Sequence, residues 1–125
     1  MSRASILYAE DHATVRLAVR DRLVLEGWTV EACCDGRAAL GRLLSDAHYD
    51  LLLLDDEMPG PSGIELTKRA RTLAHRRDIP IVIISASECE HEARRAGADL
   101  FLRKPDDVGS LVAAVASLLE RRGVR

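Results

Sequence analysis

The sequence predicts an α/β fold in which a parallel sheet is covered on both faces by helices. Short apolar runs recur along the chain, most clearly Leu51-Leu52-Leu53-Leu54 and Ile81-Val82-Ile83-Ile84. Runs this short and this continuously apolar are strands buried on both faces. Between them lie stretches with apolar residues at helical spacing, so strands and helices alternate, as a doubly wound sheet requires. Finally, the runs stop at polar residues: Glu10-Asp11, Asp55-Asp56-Glu57, Ser85 and Arg103-Lys104. Those stops fall at the carboxyl edge of the sheet, where open α/β folds bind ligands.

Ser5-Ile6-Leu7-Tyr8-Ala9 is the first strand. From Thr14 to Glu26 the residues Val15, Ala18, Val19, Leu23 and Leu25 recur at helical spacing, and Gly27 ends that helix. The β-branched and aromatic stretch from Trp28 to Cys33 is the second strand. Asp35 then caps a helix from Arg37 to about Ala47. The central strand runs from Asp50 to Asp55, and Met58-Pro59-Gly60 forbids its continuation. Ser62-Gly63-Ile64-Glu65 has the form of a capping box for a third helix reaching about Ala74. Its basic flank, Lys68, Arg69, Arg71, Arg76 and Arg77, reads as a solvated face. Ile81 to Ile84 form the fourth strand, and Ser87-Glu88-Cys89-Glu90 repeats the capping-box pattern before a short helix that ends at Ala96-Gly97. Leu100-Phe101-Leu102 is the fifth strand. Asp106 or Asp107 caps a last helix from Val108 to about Arg122, with Leu111, Val112, Val115, Leu118 and Leu119 as its stripe.

At 125 residues the chain reads as one domain, 1–125, with the start of a linker expected from about 121. A net charge of −2 gives no global basic field, so direct nucleic-acid binding is not expected. No apolar run approaches a membrane span, and the first strand begins too early to leave room for a signal peptide. Cys33, Cys34 and Cys89 are an odd number with an adjacent pair, which reads as reduced, small core residues in a cytoplasmic protein. The four histidines show no metal-ligand spacing, and Cys89-Glu90-His91 alone does not make a zinc site.

The strand ends bring Glu10, Asp11, Asp55, Ser85 and Lys104 to one edge. Three carboxylates in mutual reach repel, and one of them protonates unless a cation compensates. Mg²⁺ is the simple remedy, because it takes one or two carboxylates, keeps waters, and leaves room for phosphate oxygens. With Lys104 and one divalent ion the formal charge of the site balances. A phosphoryl group entering it meets two cationic centres and a hydroxyl donor, which suits phosphoryl transfer to a carboxylate.

The set Ala9-Glu10-Asp11, Leu53 through Gly60, Ile84-Ser85-Ala86, Gly97-Ala98-Asp99 and Phe101 through Pro105 resembles the receiver domain of bacterial two-component response regulators. The resemblance covers essentially the whole chain in order. It implies a flavodoxin-like sheet of order 2-1-3-4-5. It also implies Asp55 as phosphoacceptor from a histidine kinase or phosphotransfer protein. By the same resemblance, Asp11 and Asp55 bind Mg²⁺, the backbone carbonyl of Glu57 is a third ligand, and Glu10 acts through water. Ser85 is implied as the hydroxyl that follows the phosphoryl group, Lys104 as its ion partner, and Phe101 as the switch aromatic. Such a protein is a switch, not a turnover enzyme: it catalyses only its own phosphorylation and dephosphorylation. Asp56 is the rival acceptor, but strand alternation aims it away from Asp55.

Against the family pattern, the segment from Ser85 to Gly97 is about one helical turn short, roughly three to four residues. The missing turn lies in the fourth helix, on the face made with the fifth strand and fifth helix, and puts the family's homodimer in question. Asp106-Asp107 follow Lys104-Pro105 where the family often has an aromatic. Glu57 and Ser87 stand two residues past the acceptor and the hydroxyl, at positions that tune phosphoryl lifetime. Two other readings compete: a pseudo-receiver scaffold that works without phosphorylation, and an enzyme or flavin carrier on the same fold. The latter lacks a Gly-rich phosphate loop after the first strand.

Overall fold

The computed structural model describes residues 3–105 and 108–123. Five parallel strands form one sheet: β1 (Ser5–Ala9), β2 (Thr29–Cys33), β3 (Leu51–Asp55), β4 (Ile81–Ser85) and β5 (Leu100–Arg103). Their order is β2-β1-β3-β4-β5, as the resemblance implies. The helices are α1 (Ala13–Leu25), α2 (Gly36–Leu44), α3 (Gly63–Thr72), α4 (Glu90–Ala96) and α5 (Leu111–Arg121), the last entered through a 3-10 turn at Val108–Ser110.

Side chains alternate across a strand, so β3 feeds two cores. Leu52 and Leu54 pack with Leu43 of α2, Leu66 and Ala70 of α3, and Ala93 of α4. Leu51 and Leu53 pack with Leu23 of α1 and Leu111, Val115 and Leu119 of α5. All four leucines are buried, each contributing roughly 1.5–3 kcal/mol of hydrophobic stabilisation. In register, Leu54 pairs with Ala9 and Ile83, so the ends of β1, β3 and β4 lie side by side.

Several local expectations change. The first helix buries only Leu23 of its expected stripe, while Leu25 faces solvent. Helix α2 stops at Leu44, three residues early, because Arg76 reaches its end: Nε donates to the Leu43 carbonyl (3.1 Å) and Nη2 to those of Arg42 (3.3 Å) and Ser45 (2.9 Å). Arg76 is therefore buried, stacked over the Tyr49 ring, and not part of a solvated flank. Arg71 is likewise a clamp, donating to the carbonyls of Gly97, Ile79 and Arg77 and pairing with Asp99.

The capping box at Ser62–Glu65 forms in full. The one expected at Ser87 does not: the Ser87 amide donates to Ser85 Oγ (3.0 Å), and Glu88 pairs with Arg103 (2.8 Å). Both residues are spent on the strand ends, and the helix begins later, after Cys89, with no side-chain cap. Gly97 closes α4 at φ 112°, a left-handed position that glycine takes without penalty. Cys33 is buried and Cys34 exposed, so the adjacent pair is not jointly in the core. The expected cap at Asp106 or Asp107 lies outside the described residues. Among the described residues, no helix is long and apolar enough to cross a membrane.

Candidate phosphoryl and metal site

Each site residue leaves a strand at the same edge. Glu10 and Asp11 follow β1, Asp55 ends β3, Ser85 ends β4, and Lys104 follows β5. Glu10, Asp55 and Ser85 are buried, while Asp11 is exposed. The loop after β1 is held by Arg16, a residue with no sequence signal for such a role. Its guanidinium reaches back one turn to the carbonyls of Glu10 (3.0 Å) and Asp11 (3.3 Å).

Lys104 Nζ lies 2.9 Å from Glu10 Oε1 and 3.0 Å from Asp55 Oδ2. The second Glu10 oxygen accepts from the His12 amide (3.1 Å), and Asp55 Oδ1 accepts from the Glu57 amide (3.1 Å). Burial, followed by a carboxyl–carboxyl hydrogen bond to Glu10, pushes the Asp55 acid up to about 7. Burial also pushes Glu10 upward, but hydrogen bonds from Lys104, Asp55 and His12 outweigh it and hold its acid below the ordinary range. Burial alone would lower Lys104. The two carboxylates overcome that and raise it, so its ammonium is secure. Below about pH 7 the pair of acids thus holds one proton when only Lys104 compensates them.

One oxygen each from Glu10, Asp11 and Asp55 lies within 4.8 Å of the others. An all-oxygen, carboxylate-rich set of that size fits a hard divalent cation such as Mg²⁺, and the raised Asp55 marks the negative charge such an ion would relieve.

Asp56 turns the other way. Its Oδ1 accepts from the Ile64 amide at the start of α3 (2.9 Å), and its Oδ2 lies 3.8 Å from Cys89 Sγ. The neighbouring acids are separated as alternation requires. Gly63 lets α3 approach β3: a Cβ there would stand 2.8 Å from the Asp55 carbonyl oxygen. Phe101 is buried against the α4 side of the sheet, in the same core as Ile83 and Ala93. Glu57 is the unexpected participant. Its side chain folds over the end of β4, accepting from the Ser85 hydroxyl and from the Ala86 amide (2.8 Å).

Residues 6–116 match the family described as the response regulator receiver domain. The response regulator MprA of Mycolicibacterium vanbaalenii is 35% identical over 119 residues, covering 93% of this chain and 50% of that protein. The chain thus spans about half the length of that curated relative. Among solved structures, the chemotaxis response regulator CheY4 of Vibrio cholerae superposes with a TM-score of 0.86 at 28% identity, covering 94% of this chain and all of that one. The response regulator TrrA of Thermotoga maritima, solved in complex with Mg²⁺-BeF, gives 0.82 at 29% identity, covering 93% and 99%.

Proposed function

This chain belongs to the response regulator receiver family, and from that premise we propose that it is a phosphorylation-dependent signalling switch. A histidine kinase or phosphotransfer protein donates a phosphoryl group to Asp55. The observation that carries this reading is the Lys104 ammonium held between Glu10 and Asp55 in a cluster of three carboxylates.

In the transfer, an Asp55 carboxylate oxygen attacks phosphorus on the donor imidazole. A P–O bond forms as the P–N bond breaks, and the imidazole leaves with the bonding pair and takes up a proton. Lys104 and the Ser85 hydroxyl offer positive charge and a hydrogen bond to the phosphoryl oxygens. Asp11, Asp55 and the Glu57 carbonyl would hold Mg²⁺, with Glu10 acting through water, and the ion would neutralise the developing charge. Asp55 reacts as the anion, so its shared proton must leave before transfer. Water later attacks the acyl phosphate, restoring the carboxylate and releasing inorganic phosphate.

The new charge draws Ser85 towards the site and lets the Phe101 ring, already buried in this structure, repack beside it, altering the face of α4, β5 and α5. The switch works in the cytoplasm, where its donors are found. The test is incubation with acetyl phosphate and Mg²⁺, read by mass spectrometry on intact protein and by sizing. Mg²⁺-dependent labelling that vanishes in Asp55→Asn is expected, and sizing separates a monomer from a homodimer. Full labelling of Asp55→Asn would overturn the assignment. No labelling of the wild type would leave a phosphorylation-independent scaffold.

A further inference from the structure

We propose that the Glu57 side chain is a built-in occupant of the phosphoryl pocket, holding the Ser85 hydroxyl and Ala86 amide until a phosphoryl group displaces it. This rests on Asp55 being the phosphoacceptor. The Glu57 amide is tied to Asp55 Oδ1 at 3.1 Å, so the residue starts beside the acceptor. Its carboxylate then crosses from β3 to β4, one oxygen accepting from Ser85 Oγ and the other from the Ala86 amide.

Those two donors are the ones a phosphoryl oxygen on Asp55 would need. Asp55 pairs in register with Ile84, so Ser85 and Ala86 are the next residues along the neighbouring strand. Neither has spare capacity. A hydroxyl carries one proton and an amide one, and Ser85 Oγ also accepts from the Ser87 amide. An incoming phosphoryl oxygen can gain them only when the carboxylate lets go, and the two anions repel besides. Glu57 is itself exposed, so its side chain can swing into water. Glu57 is accordingly a gate that slows loading and weakens phosphate-like ligands, while acting through the donors and not on the reacting atoms.

The test compares wild type, Glu57→Ala and Glu57→Gln. Beryllofluoride with Mg²⁺ serves as phosphoryl mimic, acetyl phosphate as donor, and Ala86 amide exchange in metal-free protein as a readout independent of phosphoryl chemistry. Two charge-assisted bonds compete in the wild type, so Glu57→Ala lowers the half-saturating beryllofluoride concentration by about tenfold and speeds labelling similarly. Glu57→Gln keeps an acceptor without the charge and falls between. The Ala86 amide exchanges faster once Glu57 is truncated. Labelling of all three proteins at one rate, with equal beryllofluoride affinity, would overturn the gate alone. Labelling of none would overturn the phosphoacceptor reading and the gate with it.

Discussion

The Lys104 ammonium stands 3.0 Å from Asp55 Oδ2, joining the end of β5 to the end of β3 across the intervening β4. The same ammonium compensates Glu10, so one cation serves two buried acids. Lys104→Met leaves those acids uncompensated, and breaking a buried pair in this way costs about 3 kcal/mol. Urea unfolding of metal-free protein should show that loss, with Mg²⁺ restoring part of it. Phosphoryl labelling should fall at least tenfold.

Asp55 carries a pH signature. Its acid is raised in the folded protein to about 7 from an unfolded value of 3.8. A raised carboxyl pKa means that the folded state favours the protonated form. Its contribution is complete below pH 3.8 and is lost as pH rises through about 7. Metal-free wild type should therefore lose stability between about pH 4 and 7 relative to Asp55→Asn, which has no proton to release, and level off above that. Thermal melts of the two proteins across that range check the sign.

Mg²⁺ bound as proposed would compete with this proton for the Asp55 oxygens. Below about pH 7 the affinity for Mg²⁺ should fall by up to about tenfold per pH unit, with proton release on binding. Calorimetry in two buffers of different ionisation enthalpy measures that proton directly. Binding independent of pH from 5 to 8 would place the metal away from Asp55.

Gly63→Ala tests the approach of α3 to Asp55. The added Cβ would stand 2.8 Å from the Asp55 carbonyl oxygen, a backbone atom that cannot step aside. Helix α3 must shift, at about 2 kcal/mol in urea unfolding. Labelling should also slow, because the Asp56–Ile64 hydrogen bond that anchors the loop moves with the helix.

Arg76→Ala removes the donors held by Leu43, Arg42 and Ser45 at the end of α2. The Leu43 carbonyl loses this donor while those of Arg42 and Ser45 keep bonds from Ser45 and His75, so the loss should cost about 2 kcal/mol, seen as a lower urea midpoint. Labelling of the folded fraction should be unchanged, since Arg76 touches no site residue.

What was legible in the chain follows how local each cause is. Leu51–Leu54 needed only their own apolarity to read as a doubly covered strand, and strand alternation sufficed to turn Asp56 away from Asp55. The Ser62–Glu65 cap closes within four residues and was visible for that reason. Ser87 has the same local pattern, but its amide is taken by Ser85 Oγ at the end of the strand, which no capping pattern encodes. Arg76 looked like one more surface cation because its carbonyl partners lie over thirty residues away. The carboxylate of Glu57 found its donors at Ser85 and Ala86 only through the pairing of β3 with β4. At the site, the strand ends identified which groups converge, while their hydrogen-bond partners came from tertiary structure.

Helix α4 is attached unequally at its two ends. At Gly97 the Arg71 side chain of α3 grips the carbonyl with two nitrogens, at 3.1 and 2.6 Å, and reaches Asp99 beyond it. At Cys89 no side chain caps the helix. The seven-residue helix is thus held at its carboxyl end by a charged clamp and at its amino end by the Cys89 thiol, 3.8 Å from Asp56 Oδ2. Were Ser85 drawn towards a phosphoryl group on Asp55, the thiol-tied end of α4 would yield before the end that Arg71 holds.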